Sequence, residues 1–431
     1  MHVRRGVVVG IVALLATRGS LGAQQPQLEI TLVEAVRRAL DVQPTMVQAR
    51  GAVSNADWQK RAAYGTFLPT VIFTSSAFRQ NTASFVNGFP ASAGTYQYST
   101  ALTASLDLFT GFRRVGAYRN ADAMEEAADA GLMNQRFQVT LATQQLFYTA
   151  LANEELVRVA DAQLQRAKEE LQISVNRFQV GAATRADTLT STVDFGNAQL
   201  AALQARANLA TARASLARQV GADAPVRAVP DSQQPSLPDT TSLRAAALRQ
   251  APVVVEAVAL QRAASATLLQ ARSQYLPTLN ASYRTSSQGL TQPWNGFDNG
   301  NRNLNQLQIG LSWTLFNGFQ REQVSAQNSA ALDIARAQAS DTRRQVDAQL
   351  TQQIAATFTA FAQIAITGDN VTAATEALRV QQERYRLGAA TLLDLLTAEA
   401  NLTQAEVNQI QARYNYVIAR AQVEALVGHP L

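Results

Sequence analysis

An eleven-residue segment occurs twice in this chain, and the two copies lie 207 positions apart. Residues 177–187 read R-F-Q-V-G-A-A-T-R-A-D, and residues 384–394 read R-Y-R-L-G-A-A-T-L-L-D. In each copy a long stretch with apolar residues at helical spacing runs up to a glycine, Gly181 or Gly388. Glycine accepts the left-handed backbone conformation that ends many helices. The sequence therefore predicts a helix that stops at the same place in both copies.

A second helix is predicted to start three residues after each glycine. Thr184 and Thr391 are candidate N-caps, and Asp187 and Asp394 follow at the spacing of a capping box. In a capping box the two side chains bond to backbone N–H groups that a helix start leaves free. Each copy is thus predicted to form the tight tip of a helical hairpin.

The repeat extends from the tips to nearly the whole chain. The motif F-L-P at residues 67–69 matches Y-L-P at 275–277, and L-F-T-G-F at 108–112 matches L-F-N-G-F at 315–319. Matches at a nearly constant offset indicate two structural repeats. The predicted organisation is a first repeat over 24–221 with its tip at 181–184, a proline-rich linker over 222–241, and a second repeat over 242–431 with its tip at 388–391.

Residues 1–23 have the pattern of a secretory signal peptide. Arg4 and Arg5 precede an apolar run over 6–16, and small residues come before Gln24. The run is too short for a membrane-spanning helix, so cleavage near residue 23 is predicted. An uncleaved anchor is the alternative.

The composition excludes several classes of function. The formal net charge is +5, and three of the arginines that contribute to it lie in the predicted signal peptide. The chain without this peptide is close to neutral, so its charge gives no sign of nucleic-acid binding. There is no Cys, and of the two histidines His2 lies in the signal peptide and His429 stands near the C-terminus. Thiolate sites, histidine clusters and histidine-based triads are therefore not available. We predict no enzymatic activity, no catalytic or metal-binding residues and no cofactor.

Proline placement and periodicity predict very long helices. No proline occurs over residues 113–224 or 320–429, and an interior proline would destabilise a helix by about 3 kcal/mol. Apolar residues recur at steps of three and four, the pattern of coiled-coil seams, at Val157, Ala160, Leu164, Ala167 and Leu171. A continuous helix from 113 to 180 would be ~100 Å long. A free-standing coiled-coil scaffold would show the same seams.

Four other segments alternate between apolar and polar residues, which predicts strands. In the clearest of them the even-numbered residues from Tyr96 to Leu108 lie on one face and polar residues on the other. The predicted strands, two in each repeat, span about 71–78, 96–109, 279–286 and 305–316.

Strands with one apolar and one small polar face suit a membrane barrel that has lipid outside and water inside. A soluble sheet with one buried face would give the same alternation. The signal peptide and the aromatic residues at the strand ends favour the membrane. Four strands are too few to close a barrel, since the smallest membrane barrels have about eight. Several chains must then share one barrel.

These features together resemble the TolC-like outer-membrane efflux protein family. The resemblance rests on the paired Y/F-L-P and L-F-x-G-F motifs, the paired tip motifs, and A-R-Y-N-Y-V-I-A at residues 412–419. It implies a mainly α fold with long coiled-coil hairpins and a transmembrane β-barrel portion, 12-stranded and shared by a homotrimer. It also implies an outer-membrane location in a Gram-negative type of envelope, with the helical tunnel in the periplasm.

The resemblance also implies roles for residues at the tips. Adaptor hairpins of the family dock at positions that match Val180, Gly181, Ala182, Leu387, Gly388 and Ala389. Asp394 matches an acidic position that lines the closed periplasmic aperture, and Asp187 and Tyr385 are further aperture candidates. Relatives often carry a second aspartate where this chain has Thr397, which speaks against a cation-binding aperture. For Asp187 and Asp394, helix capping is the alternative role.

The predicted function is that of a passive exit duct in a tripartite efflux pump for drugs or other small molecules. Its predicted partners are two more copies of the chain, a periplasmic adaptor (membrane fusion protein), an inner-membrane transporter and outer-membrane lipid. A duct for type I protein secretion is the alternative with the same fold. A periplasmic coiled-coil scaffold or adaptor is the alternative from another class.

Overall fold

The structure of the chain, a computed structural model, describes residues 28–79, 84–86, 89–91, 96–230, 240–289 and 302–429. The predicted signal peptide lies outside these ranges. The first half contains β1 (Leu28–Ile30), α1 (Leu32–Val42), α2 (Pro44–Gly65), β2 (Thr70–Arg79), β3 (Ser84–Val86), β4 (Phe89–Ala91), β5 (Tyr96–Phe109), α3 (Arg113–Gln179) and α4 (Arg185–Val220). The second half contains β6 (Val226–Ala228), α5 (Thr240–Gln250), α6 (Pro252–Arg272), β7 (Thr278–Gly289), β8 (Arg302–Ser312), α7 (Gln320–Arg386) and α8 (Leu392–Val427).

The two halves contain matching elements of nearly equal length. α3 and α7 each contain 67 residues, and α4 and α8 each contain 36. At 1.5 Å per residue, α3 and α7 are each ~100 Å long. The predicted fold, mainly α with two structural repeats and long helical hairpins, is confirmed.

Small side chains hold the hairpins together. α3 packs along α4, α7 packs along α8, and α3 also packs on α8, so the helices form a layer in the order α4, α3, α8, α7. Alanine dominates the buried seams, as at Ala160, Ala167, Ala198, Ala202 and Ala398. The distance between packed helices depends on the side chains at the contact, so these alanines permit close packing. α4 and α7 are left as the two outer edges of the layer.

Four strands form one antiparallel sheet in the order β2, β5, β7, β8. The positions of β2, β5 and β7 include those predicted from the sequence. β8 differs, since it starts at Arg302 and ends at Ser312, whereas the sequence predicts a strand to residue 316. Beyond Ser312 the Trp313 indole N–H donates to the Tyr275 carbonyl oxygen at 3.2 Å, and Phe316 packs edge-on against Phe319. These contacts turn the chain towards α7.

The strand register collects apolar side chains from all four strands on one face. Phe73 pairs with Leu102, Tyr283 with Leu307, and Leu279 with Leu311. The apolar residues of this face include Val71, Phe73, Leu102, Leu106, Leu279, Tyr283, Leu307, Ile309 and Leu311. The opposite face is mainly polar and includes Ser99, Asp107, Asn280, Arg284, Gln306 and Gln308. Such a sheet is what a membrane barrel presents to lipid and to water.

One residue of the predicted apolar face is displaced by a bulge. The sequence alternation places Leu108 with Leu106, but the register of β5 against β7 shifts between Asp107 and Phe109. A bulge adds one unpaired residue to a strand and so moves the following side chains to the other face. As a result Phe109, and not Leu108, pairs with Leu279.

The L-F-x-G-F motifs form the joints between the sheet and the long helices. Phe112 and Phe319 precede α3 and α7 with φ values of 69° and 66°, and they are the non-glycine residues with positive φ in the described chain. A bulky residue in this conformation is uncommon and is kept only where its surroundings enforce it.

Matching cation–π contacts brace both joints. The Arg114 guanidinium lies 4.8 Å from the centre of the Phe67 ring, and the Arg321 guanidinium lies 4.9 Å from that of Tyr275. Both arginines also donate hydrogen bonds to carbonyl oxygens at or just beyond the end of a strand, that of Leu108 for Arg114 and that of Thr314 for Arg321. The paired aromatic motifs recognised in the sequence therefore fix the direction in which each long helix leaves the sheet.

The segment predicted as a linker contains a short strand. β6, at Val226–Ala228, pairs in parallel with β1 at Leu28–Ile30, and Val226 and Ile30 are buried in a core with Phe147 and Leu216. This pairing ties the start of the first repeat to the linker that follows it.

One helix of the described chain, Pro252–Tyr275, is long and apolar enough to cross a membrane. It contains α6, which packs on α3 and α7. Val254, Ala259, Ala263 and Leu268 of this helix are buried.

Candidate functional site at the hairpin tips

The first tip ends α3 with a Schellman motif. The Gly181 N–H donates to the Phe178 carbonyl oxygen at 3.0 Å, and the Ala182 N–H donates to that of Arg177 at 2.8 Å. Gly181 has a φ of 75°, the left-handed conformation that this motif requires. The two bonds satisfy carbonyl groups that the helix end would otherwise leave free.

The second tip repeats the first. The Gly388 N–H donates to the Tyr385 carbonyl oxygen at 3.1 Å, the Ala389 N–H donates to that of Arg384 at 2.7 Å, and Gly388 has a φ of 77°. A Cβ placed on either tip glycine would meet no atom within 4 Å. The backbone conformation, and not lack of space, is therefore what requires glycine at these two positions.

The tips expose apolar side chains at the far end of the hairpins. Val180 is 79% exposed and Leu387 is 74% exposed, which leaves one large apolar residue uncovered on each tip. The six predicted docking residues all lie in these two turns: Val180, Gly181, Ala182, Leu387, Gly388 and Ala389.

The capping boxes predicted at both tips are present. At the first, Asp187 Oδ2 accepts from the Thr184 N–H and hydroxyl, each at 2.8 Å, and the Asp187 N–H donates to Thr184 Oγ1 at 3.2 Å. At the second, Asp394 Oδ2 accepts from the Thr391 N–H at 2.9 Å and from its hydroxyl at 2.7 Å. The Thr391 N–H is the main cause of the lowered pKa of Asp394, followed by the Thr391 hydroxyl; the Arg384 charge also lowers it.

Removal of the Asp394 carboxylate is expected to destabilise the second hairpin. Asp394→Ala should lower the temperature of thermal unfolding, because it removes the half of the capping box that accepts from the Thr391 N–H. Because the observed bonds of Asp394 serve the helix start, single-channel conductance should stay unchanged. Thermal unfolding together with planar-bilayer recording checks both values, and a raised conductance would show that Asp394 closes the aperture. Asp187→Ala is the matched variant in the first repeat.

Arg177 links the two hairpins, although the repeat symmetry does not require it to do so. From the end of α3 its guanidinium donates to the carbonyl oxygens of Tyr385 and Arg386 at 3.0 and 3.1 Å. It also lies 4.4 Å from the centre of the Tyr385 ring. The matching residue of the second repeat, Arg384, bonds instead to Ala389 of its own tip. The tips of one chain are thus joined by an asymmetric contact.

Tyr385, predicted at the aperture, is buried between the hairpins. It packs in a cluster with Leu378, Leu392 and Leu395, and Arg177 covers its ring. Burial is the main cause of its raised pKa, and the neighbouring Glu170 carboxylate adds to it. Its role at the aperture stays a prediction.

A group of buried polar residues lies behind the tips and was not predicted from the sequence. Glu170 of α3 and Glu399 of α8 are 6% and 8% exposed, and Ser174 and Ser191 are fully or almost fully buried. The seam spacing could have revealed Glu170, which follows the buried Ala167 by three residues and precedes Ser174 by four.

The carboxyl groups of this region hold their protons more tightly than usual. The pKa of Glu399 is raised to about 7, mainly by burial; the Arg166 charge opposes the rise, and the nearby Glu170 and Asp194 carboxylates add to it. Burial likewise raises the pKa of Glu170 and of Asp194. Carboxyls with this behaviour lie on three of the four packed helices.

Comparisons with known proteins identify the fold. The CmeC outer membrane channel of Campylobacter jejuni is similar to the chain with a TM-score of 0.81 and 18% identity, over 92% of this chain and 85% of that one. The outer membrane protein VceC of Vibrio cholerae gives a TM-score of 0.80 and 18% identity, over 93% and 96% of the two chains. At this identity the likeness shows a common fold.

Sequence relatives and a match to a family model identify the family as well as the fold. The outer membrane efflux protein BepC of Brucella suis is 24% identical over 400 residues, which cover 91% of this chain and 84% of BepC. The alkaline protease secretion protein AprF of Pseudomonas aeruginosa is 24% identical over 339 residues, 77% of this chain and 69% of AprF. The family described as "Outer membrane efflux protein" matches residues 35–222 and 243–429, which are the two repeats. The chain therefore belongs to the outer membrane efflux protein family.

Proposed function

We propose that the chain is the outer-membrane channel-tunnel of a tripartite efflux pump, a passive exit duct for drugs or other small molecules. A periplasmic adaptor would dock on the two tips, and an inner-membrane transporter would supply the energy. One observation carries the proposal most directly: braced joints connect a sheet with an apolar and a polar face to hairpins ~100 Å long. Such a chain can reach from the outer membrane far into the periplasm.

The open edges of the sheet support a shared barrel. β2 and β8 are the edge strands, and each has one neighbour in the described chain. An unpaired strand edge cannot face lipid, because its backbone groups would lack hydrogen bonds there. Three copies, each with β2 beside β8 of the next, would close a barrel of 12 strands, within the range known for outer membranes.

The helical layer has an unpaired seam on each outer edge. On α4 the exposed residues Leu189, Val193, Leu200 and Leu203 follow heptad spacing, and on α7 Ile366 and Val380 are exposed. In a ring of three copies, α4 of one would pack against α7 of the next and cover both seams. Head-to-tail contacts of this kind close into rings when the rotation permits.

The mature protein is expected to be an obligate trimer. Mass measurement in mild detergent should give three chains per particle at all concentrations at which the protein stays folded. A stable folded monomer would contradict the shared barrel, because it would leave both sheet edges and both helical seams uncovered.

Reconstitution with partners tests the function itself. The purified trimer should conduct ions in planar bilayers. With a cognate adaptor and transporter in one membrane and the trimer in another, a fluorescent drug should move only when all three are present. Transport without the trimer would exclude the duct role.

A duct for type I protein secretion is the second candidate, and the similarity to AprF favours it. The two candidates differ in cargo, so the same reconstitution with a secreted protein in place of the drug distinguishes them. A periplasmic scaffold is the candidate from another class; it would appear in the soluble fraction after cell breakage, whereas a barrel protein needs detergent extraction.

A further inference from the structure

Ionisable groups from four helices come together just behind the tips, and three of them, Glu170, Tyr385 and Glu399, are buried. We name this group the tip cluster; its ionisable members are Arg166, Glu170 and Arg177 on α3, Asp194 on α4, Tyr385 on α7 and Glu399 on α8. We propose that the tip cluster is a proton-operated latch, which holds the hairpins of one chain together in acid and loosens them as the pH rises. The inference rests on the proposed function, in which these hairpins form the periplasmic end of a duct.

The charges of the tip cluster do not balance when all its carboxyls are ionised. Glu170, Asp194 and Glu399 would then carry three negative charges against the two positive charges of Arg166 and Arg177. An uncompensated charge in a buried site is strongly unfavourable. One bound proton removes the imbalance, so the packed hairpins favour the protonated cluster.

Hydrogen bonding in the cluster is also incomplete. Glu170 Oε1, Ser174 Oγ, Ser191 Oγ and Arg166 Nε are buried and have no hydrogen-bond partner among the described residues. A protonated carboxyl brings an additional O–H donor, which an ionised carboxylate lacks. Protonation therefore improves the charge balance, and it adds one donor to a packed state in which Glu170 Oε1 has no hydrogen-bond donor in the described ranges.

The direction of the pH effect follows from the carboxyl pKa values. Burial raises the pKa of Glu170, of Asp194 and, to about 7, of Glu399. In hairpins that have separated, water reaches these groups and their pKa values return towards the ordinary range. The packed state thus binds more protons, so its stability is greatest in acid and falls as the pH rises towards 7. Above that pH the loss is complete.

Thiol labelling of the full-length protein in detergent measures the opening directly, because the chain has no cysteine of its own. Ser174→Cys introduces a thiol into the tip cluster at a fully buried position. Ala150→Cys, equally buried in α3 but ~36 Å further along it, corrects for the ionisation of the thiol itself. The ratio of the two maleimide labelling rates should rise at least about tenfold from pH 5 to pH 8, the effect of one pKa unit between the packed and open states.

Glu399→Gln removes the titration and keeps the shape of the side chain. When Glu399→Gln is combined with each cysteine variant, the ratio of the two labelling rates should stay low at every pH. The matched control is Glu383→Gln on α7, an exposed residue whose carboxylate pairs with Arg386 and which should leave the pH response intact. If Glu399→Gln does not fold, as judged by its thermal unfolding, Glu170→Gln serves in its place.

Two results would overturn the latch. The first is a ratio of labelling rates that does not change with pH when Glu399 is present. The second is a ratio that rises equally with pH in the folded glutamine variant. Neither readout involves transport. If the labelling ratio is independent of pH in a trimer that conducts ions, the proposed latch is rejected and the proposed duct is not. If the ratio depends on pH but the protein neither forms trimers nor conducts ions, the proposed duct is rejected.

Discussion

Leu307→Arg should prevent insertion of the sheet into the membrane, whereas Gln308→Arg should leave insertion intact. The two residues are neighbours in β8, yet their side chains lie on opposite faces of the sheet. Leu307 is 70% exposed in the single chain and pairs with Tyr283 on the apolar face, while Gln308 pairs with Ser282 on the polar face. An arginine on the lipid face near the bilayer midplane costs about 2 to 4 kcal/mol. In a trimer that penalty applies three times.

The measurement is the yield of heat-resistant trimer in isolated outer membranes. We expect almost none for Leu307→Arg and close to the normal yield for Gln308→Arg, which should instead alter ion selectivity in planar bilayers because its charge lines the lumen. Equal yields for the two variants would show that the two faces of the sheet have been assigned the wrong way round.

Gly388→Pro should abolish export while the trimer remains in the membrane. Proline fixes φ near −65°, but Gly388 has a φ of 77° and donates its N–H to the Tyr385 carbonyl oxygen. The Schellman motif cannot form with proline, so the second tip must change shape. The barrel is ~100 Å of helix away and should assemble normally.

Gly388→Asn is the control, because asparagine tolerates the left-handed conformation better than other residues with a Cβ. It should retain the N–H donor and most of the export activity. Reconstituted drug transport and the yield of heat-resistant trimer report the two properties separately. Full transport by Gly388→Pro would mean that the shape of this tip is not needed for docking.

The local features of the fold were predictable from the sequence. The stops at Gly181 and Gly388, the caps at Thr184 and Thr391, and the alternating strands depend on residues within a few positions of one another. The second copy of each motif strengthened the inference from the first. The two-repeat organisation and the family resemblance followed from this agreement.

Features that depend on distant parts of the chain were not predictable in this way. Arg177 and Arg384 occupy matching positions, but only tertiary packing decides that Arg177 reaches the other hairpin. The bulge near Leu108 depends on how β5 pairs with β7, and β6 exists because β1 lies beside it. The residues around Glu399 in the sequence do not indicate that it is buried, since its burial requires the first hairpin as well as the second.

The equal lengths of the two hairpins restrict how proteins of this architecture can evolve. Both long helices contain 67 residues and both returning helices contain 36, so the two tips end at the same level. A deletion of one heptad from both helices of one hairpin would shorten it by ~10 Å, and only one tip would then meet an adaptor. Viable changes in reach must therefore occur as coordinated insertions or deletions in both halves of the gene, in whole heptads that keep the seams aligned.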